Sequence, residues 1–226
     1  DENMLASKEY CLQLAKLWEE EGLAGLVDFG ILGHPATADF ETILKLRDVG
    51  LKYISFGAEN ANKHILEALN KKSTPEQIQN AIDVCQKCEV YPITTWMLSP
   101  EDTIDTVLNT VRFWKRNGIV CKPFFETAYP GTELFDKYRD KIINEYLTDE
   151  EKKLIKRKPE KAAEVRDKAL ERFVLALGNA TDLAHNLSPI WNDAELLGIQ
   201  QLMFLQDERR LLKLKKVIES YHELLA

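Results

Sequence analysis

Glu59 closes the apolar run Tyr53-Ile54-Ser55-Phe56-Gly57-Ala58 and is followed by Asn60. A carboxylate in that place can accept hydrogen bonds from the hydroxyls of a sugar, or it can cap the helix expected to begin near Ala61. Three other apolar runs end in the same manner, on polar groups beside a tight turn. Gly33-His34-Pro35 offers an imidazole, a side chain that changes charge near neutral pH. Met97-Leu98-Ser99-Pro100-Glu101-Asp102 offers a thioether, a hydroxyl and two carboxylates, of which Glu101 and Asp102 also read as caps of the next helix. Glu126-Thr127-Ala128-Tyr129-Pro130-Gly131-Thr132-Glu133-Leu134 offers a phenol and further acids. These four ends could converge on one ligand. Cys85 and Cys88 have the spacing of a metal or redox pair. They fall near the C-terminal end of a helix expected over Pro75–Cys88, without a second pair or a nearby histidine, so they read as packing residues. His64, His185 and His222 lie on helical stretches and read as structural or solvated. Trp96, Trp114 and Trp191 read as core, with Trp96 alternatively facing the lumen of a barrel.

The elements that must position these groups recur along the first half of the chain. A helical stretch ends in a charged turn and glycine, and an apolar run follows, as in Glu21-Gly22-Leu23, Val49-Gly50-Leu51 and Asn117-Gly118-Ile119. Glycine just past a helix end adopts the left-handed conformation that satisfies the last carbonyls. The runs Leu26–Leu32, Tyr53–Gly57, Val90–Leu98 and Val120–Thr127 are short, rich in β-branched or aromatic residues, and bounded by turns. Helix starts are equally legible: Ser73-Thr74-Pro75-Glu76-Gln77 places proline at the first helical position, with Gln77 where a capping box needs it. Strands separated by helices pair in parallel through crossovers. The predicted fold is therefore α/β, a partial (β/α) barrel with parallel strands. After Tyr138 the strands stop. Helices are expected from Thr148, from Pro159 to about Asn186, from Asn192 or Asp193 to Leu205, and from Arg209 to Leu225. This divides the chain into a barrel portion over 1–140 and an all-helical appendage over 141–226. In such architectures the functional face is the rim at the C-terminal strand ends.

Composition narrows the partners. Hydrophobic residues at 45% and charged residues at 30% are the balance of a folded globular protein. A net charge of −7 gives no field to gather nucleic acid or an anionic membrane. No apolar run is long enough to span a bilayer. Four cysteines are too few for a disulfide scaffold, which points to a reducing cytoplasm. The sequon at Asn179-Ala180-Thr181 reads as chance.

Taken in order, these motifs resemble the radical S-adenosylmethionine (SAM) enzymes. Tyr53-Ile-Ser-Phe-Gly-Ala-Glu-Asn60 is similar to that family's fourth barrel strand, which ends on the cofactor. Ile65-Leu66-Glu67-Ala68-Leu69-Asn70-Lys71 matches the helix end after it, and Thr74-Pro75-Glu76-Gln77-Ile78 the next helix start. Met97-Leu98 with Pro100-Glu101 resembles the turn that frames adenine. Tyr129-Pro130-Gly131-Thr132-Glu133-Leu134 resembles the strand-six turn of the cobalamin-binding and methylthio-transferring branches. The resemblance implies ribose and adenine contacts from Glu59, Asn60, Met97, Ser99 and Tyr129, with His34 where many relatives place an arginine facing the SAM carboxylate. In the complete enzyme a reduced 4Fe–4S cluster cleaves SAM to a radical that abstracts a substrate hydrogen. The family's Cys-x3-Cys-x2-Cys loop and Gly-Gly-Glu strand would both precede Asp1. The expectation is thus a portion of a longer enzyme, not catalytic alone and binding no cofactor or metal by itself, completed by an upstream segment or a partner chain. Methyl transfer with cobalamin to a small-molecule or peptide substrate is the subclass that the strand-six turn favours; methylthiolation or rearrangement stay open. Two other classes also remain: a non-catalytic interaction module whose helical tail docks a partner, and another barrel enzyme such as an aldolase. The strand ends lack the lysine that Schiff-base chemistry needs.

Overall fold

The computed structural model describes residues 3–177 and 186–225. A single 3-10 turn (Met4–Ala6) leads into α1 (Lys8–Glu20), β1 (Phe29–Gly33) and a second such turn (Pro35–Thr37). Then follow α2 (Phe40–Asp48), β2 (Leu51–Glu59), α3 (Lys63–Ala68), α4 (Pro75–Lys87), β3 (Tyr91–Leu98) and α5 (Ile104–Arg116). The remainder is β4 (Phe124–Phe125), α6 (Glu133–Glu145), α7 (Asp149–Arg157), α8 (Ala162–Leu177), α9 (Asp193–Phe204) and α10 (Glu208–Leu225). The chain forms two compact units, Asp1–Pro123 with Gly198–Ala226, and Phe124–Leu197. The boundary expected after residue 140 thus differs from the division into units, and the end of the chain returns to the first.

In the first unit β1 pairs with β2 and β2 with β3, both in parallel, as the α/β reading requires. The strands alternate sides. One face carries Ile31, Ile54, Phe56, Ala58, Trp96 and Leu98, all buried, while Leu32, Tyr53 and Ile93 on the other stay exposed. Trp96 meets Phe113 and Trp114 of α5 at 5.5 Å each, so it faces the helix layer and not a lumen. Cys11, Cys85 and Cys88 belong to the core beneath β1 and β2, beside Ile43, Leu46 and Ile54. The last helix lies along α5: Lys215 pairs with Asp105 at 2.6 Å, and Glu208 with Arg112 at 2.9 Å and Lys115 at 2.8 Å.

Helix ends follow local chemistry. Thr74 accepts from the Gln77 amide while the Gln77 side chain accepts from the Thr74 amide, a closed capping box at the start of α4. Past α5, Gly118 takes a φ of 63°, and the Ile119 amide reaches back to the Trp114 carbonyl at 2.9 Å. At the end of α4, which lacks glycine, Glu89 takes that role at φ 58°.

Two strand expectations need correction. The first strand begins at Phe29, not Leu26. Leu26 is 77% exposed and follows Gly25, whose φ of 77° turns the chain before any pairing begins. The fourth is reduced from Val120–Thr127 to Phe124–Phe125. Pro123 has no amide hydrogen for a ladder, and Val120 is exposed.

The second unit packs α6, α7 and α8 around Phe135, Ile142 and Phe173, with Ile143, Leu147, Val165 and Ala169 as a further cluster. Arg172 ties it, donating to the Tyr146 carbonyl at 2.8 Å and to Glu151 at 2.6 Å. The helix expected to reach Asn186 is described only to Leu177; the rest of it, the Asn179 sequon, His185 and the side chain of His222 lie outside the described residues. Among the described residues no helix is long and apolar enough to cross a membrane.

Candidate functional site

Strand β2 ends abruptly. Its register with β3 slips between Gly57 and Glu59, and Glu59 takes the left-handed φ of 63°. The Asn60 amide donates to the Ala58 carbonyl at 2.8 Å, closing a three-residue turn around Glu59. A left-handed conformation costs a residue with a side chain about 1–2 kcal/mol. The gain is direction. The Glu59 carboxylate folds back over Gly57, where an added Cβ would lie 2.5 Å from its Oε1.

Lys71 meets it there, with Nζ 2.8 Å from Glu59 Oε1. Its position follows from the end of α3. Asn70 adopts φ 53°, its amide donates to the Glu67 carbonyl at 3.0 Å, and the Lys71 amide to Leu66 at 2.9 Å. Asparagine is the side chain that best replaces glycine in this motif, and the turn returns the next residue to the strand end.

His34 sits at the end of β1. Its Nδ1 accepts from the Ala36 amide at 3.2 Å, and its own amide donates to Asn3 Oδ1 at 3.1 Å. Burial, and then the positive charge of Lys71, hold its pKa below the usual 6.5. Both effects favour the uncharged imidazole.

Behind Glu59 runs a buried polar chain. Asn60 Nδ2 donates to both oxygens of Asp102, at 3.2 and 3.1 Å, and Asn60 Oδ1 accepts from Asn62 Nδ2 at 2.7 Å and the Asn62 amide at 3.0 Å. Asp102 also accepts from the Ser99 amide at 2.8 Å and from Thr106 Oγ1 at 2.6 Å. Burial pushes its carboxyl above the usual range, against the pull of these donors. The cap reading of Asp102 fails, because Thr103 caps α5 and accepts from the Thr106 amide. The cap reading of Glu59 fails too: α3 begins at Lys63 behind Asn62, and the Glu59 carboxylate pairs with Lys71.

Among the expected contact residues, Glu59 pairs with Lys71, whose positive charge also acts on His34. Asn60 and Ser99 meet through Asp102, with both ends of the Asn60 amide already engaged. Met97, half-buried, stands on β3 one residue past Trp96, which pairs in register with Glu59. Tyr129 belongs to the second unit. Its carbonyl accepts from the Thr132 amide at 3.1 Å across a turn with Pro130 and Gly131 at its centre, and its side chain is exposed. Sequence reasoning missed Lys71 and the role of Asp102. The first was legible only as the lysine closing the Asn70-Lys71 motif, the second only as a possible cap.

No family model matches the chain. It is 30% identical over 145 residues to the bacteriochlorophyllide d C-8(2)-methyltransferase of Chlorobaculum tepidum, covering 61% of this chain and 32% of that protein. It is 25% identical over 138 residues to an uncharacterized methyltransferase of Pyrococcus horikoshii, covering 60% of this chain and 30% of that protein. The chain therefore spans about a third of the length of these curated relatives. Among solved structures it is similar to the radical SAM methyltransferase TsrM of Kitasatospora setae, solved with cobalamin and a 4Fe–4S cluster bound. The TM-score is 0.50 at 13% identity, over 60% of this chain and 28% of that one. The fold expected from the resemblance is borne out: the parallel sheet and crossover helices of this chain are similar to those of that radical SAM methyltransferase structure.

Proposed function

We propose that the chain forms the part of a radical SAM methyltransferase that holds the ribose and adenine end of SAM and lines part of the substrate cavity. The observation that carries this reading is the Glu59 carboxylate, turned over the bare backbone of Gly57 at the end of β2. A carboxylate so placed accepts hydrogen bonds from vicinal hydroxyls, and the missing side chain of Gly57 leaves the room that the carboxylate and Lys71 occupy. Lys71, now paired with Glu59, faces the anionic end of the same ligand, a task less suited to His34, whose uncharged form is favoured. Met97 and the Ser99 turn border the adenine side. SAM, when bound, supplies an electrophilic methyl group.

The cysteines present do not fit an iron–sulfur cluster. Cluster ligands are thiolates, whereas Cys11, Cys85 and Cys88 are buried in the core. Burial raises the pKa of all three, that of Cys85 to about 12, and raises that of the partly exposed Cys121 as well. The cluster belongs, in this reading, to a further segment of the same polypeptide or to a partner chain. No residue here is assigned to cobalamin, and the substrate is left open as a small molecule or peptide.

The test is SAM titration of the full-length protein with Glu59→Gln. Hydrogen bonds to a charged group contribute about 1.5–3 kcal/mol, so affinity should fall roughly tenfold or more. Unchanged affinity would remove Glu59 from the cofactor site and the reading with it.

A further inference from the structure

Asp102 is a buried carboxylate with no capping duty, and burying a charge is unfavourable unless donors surround it. Its donors come from three separate elements: Asn60 from the end of β2, the Ser99 amide from the end of β3, and Thr106 from the first turn of α5. The partial positive charge at the start of α5 adds to them. The Asn60 carboxamide cannot flip, because its oxygen accepts from Asn62 while its nitrogen donates to Asp102. Asn60 is also the residue whose amide closes the turn around Glu59. A left-handed glutamate persists only where the surroundings over-determine it, and the residue beside it is held from both ends.

We propose that Asp102 is the positioning residue of this rim: through Asn60 it keeps Glu59 in the left-handed turn that aims its carboxylate over Gly57, and through the Ser99 amide it fixes the adjoining turn of β3. Asp102 itself touches no ligand. The functional part of the proposal rests on the reading of Glu59 as a SAM contact; the geometric part does not.

Replacing Asp102 by asparagine leaves one oxygen to accept from Asn60 Nδ2 and sets an amide nitrogen in place of the other, donor against donor, so one of the two bonds that hold Asn60 becomes a repulsion and its hold on Glu59 weakens. Asp102→Asn should therefore relax Glu59 to an extended φ in a crystal structure, and weaken SAM binding by the full-length protein about tenfold. Combining Asp102→Asn with Asn60→Asp reverses donor and acceptor, and should restore both the φ and the affinity to within about threefold. A general loss of stability would not be repaired by that exchange. If Glu59 keeps its positive φ in Asp102→Asn while only the unfolding midpoint falls, Asp102 is structural and the proposal is overturned. Should Asp102→Asn not fold, Asn60→Ala removes the same restraint, and a Glu59 still left-handed there overturns the proposal equally. Failure of the SAM reading shows separately, as Glu59→Gln binding SAM like the unaltered protein; the φ of Glu59 in Asp102→Asn then still decides the geometric claim.

Discussion

Lys71 and Glu59 share the space that a side chain at position 57 would fill: an added Cβ would lie 3.2 Å from Lys71 Nζ and 2.5 Å from Glu59 Oε1. Gly57→Ala should consequently displace the ion pair from the strand without breaking the sheet. The expected stability loss is about 1 kcal/mol, the size usual for a single substitution. The expected loss of SAM affinity equals that of Glu59→Gln. Urea unfolding and SAM titration on the same variant separate the two. Intact affinity would mean that the pair can move aside freely.

His34 predicts a pH dependence. A group whose pKa is lower in the folded chain than in the unfolded one binds fewer protons when folded. Its contribution is then fully present above the ordinary 6.5 of an imidazole and is lost as pH falls through the folded value. Unfolding midpoints of the unaltered protein and His34→Gln, compared from pH 8 to pH 5, should differ by a constant above about 6.5. Below it the unaltered protein should lose stability relative to the variant. Lys71→Met, which removes the second cause of the shift, should make that acid loss smaller.

Glu89 carries the left-handed residue after α4 at φ 58°, and its ion pair with Arg47, at 3.4 Å, is exposed on the Glu89 side. An exposed pair contributes at most about 1 kcal/mol, against about 1–2 kcal/mol for the conformation. Glu89→Gly should raise stability by about 0.5–1 kcal/mol. Chemical denaturation at neutral pH measures it; a fall in stability would show that the ion pair outweighs the strain.

The core cysteines predict a reactivity order. Cys85, with its pKa pushed up to about 12, and the buried Cys88 should resist iodoacetamide at pH 8 in the folded protein, whereas the partly exposed Cys121 reacts first. In urea all should react. Early modification of Cys85 would mean that α4 opens locally.

Much of this fold can be read without coordinates, for identifiable reasons. Thr74-Pro75-x-Gln77 starts α4 and Gly118 follows α5, because caps and turns are decided within a few residues. β3 runs from Tyr91 to Leu98 as its composition suggests. The misjudged strands mark where pattern is insufficient. Leu26 and Val27 are as apolar as a strand, yet a turn at Gly25 precedes them and both are exposed. At the rim, Glu59 is legible as an acid ending an apolar run, but its left-handed turn is not, since nothing in its neighbours' types demands one. Asp102 ahead of Thr103 looks like a cap from either side. Only the arrival of Asn60, 42 positions earlier in the chain, reveals what it holds.

The first unit is discontinuous: Asp1–Pro123 is completed by Gly198–Ala226, with Phe124–Leu197 between them. Chains emerge from the ribosome in one direction, and N-terminal portions ordinarily begin to fold first. Here β1, β2 and β3 can pair while the rest is still being made. The outer side of α5, however, with Asp105, Arg112 and Lys115, must wait for Glu208 and Lys215. Until α10 leaves the exit tunnel, that surface is open to chaperones, and a nascent chain halted after Leu197 presents a sheet whose helix α5 lacks its cover.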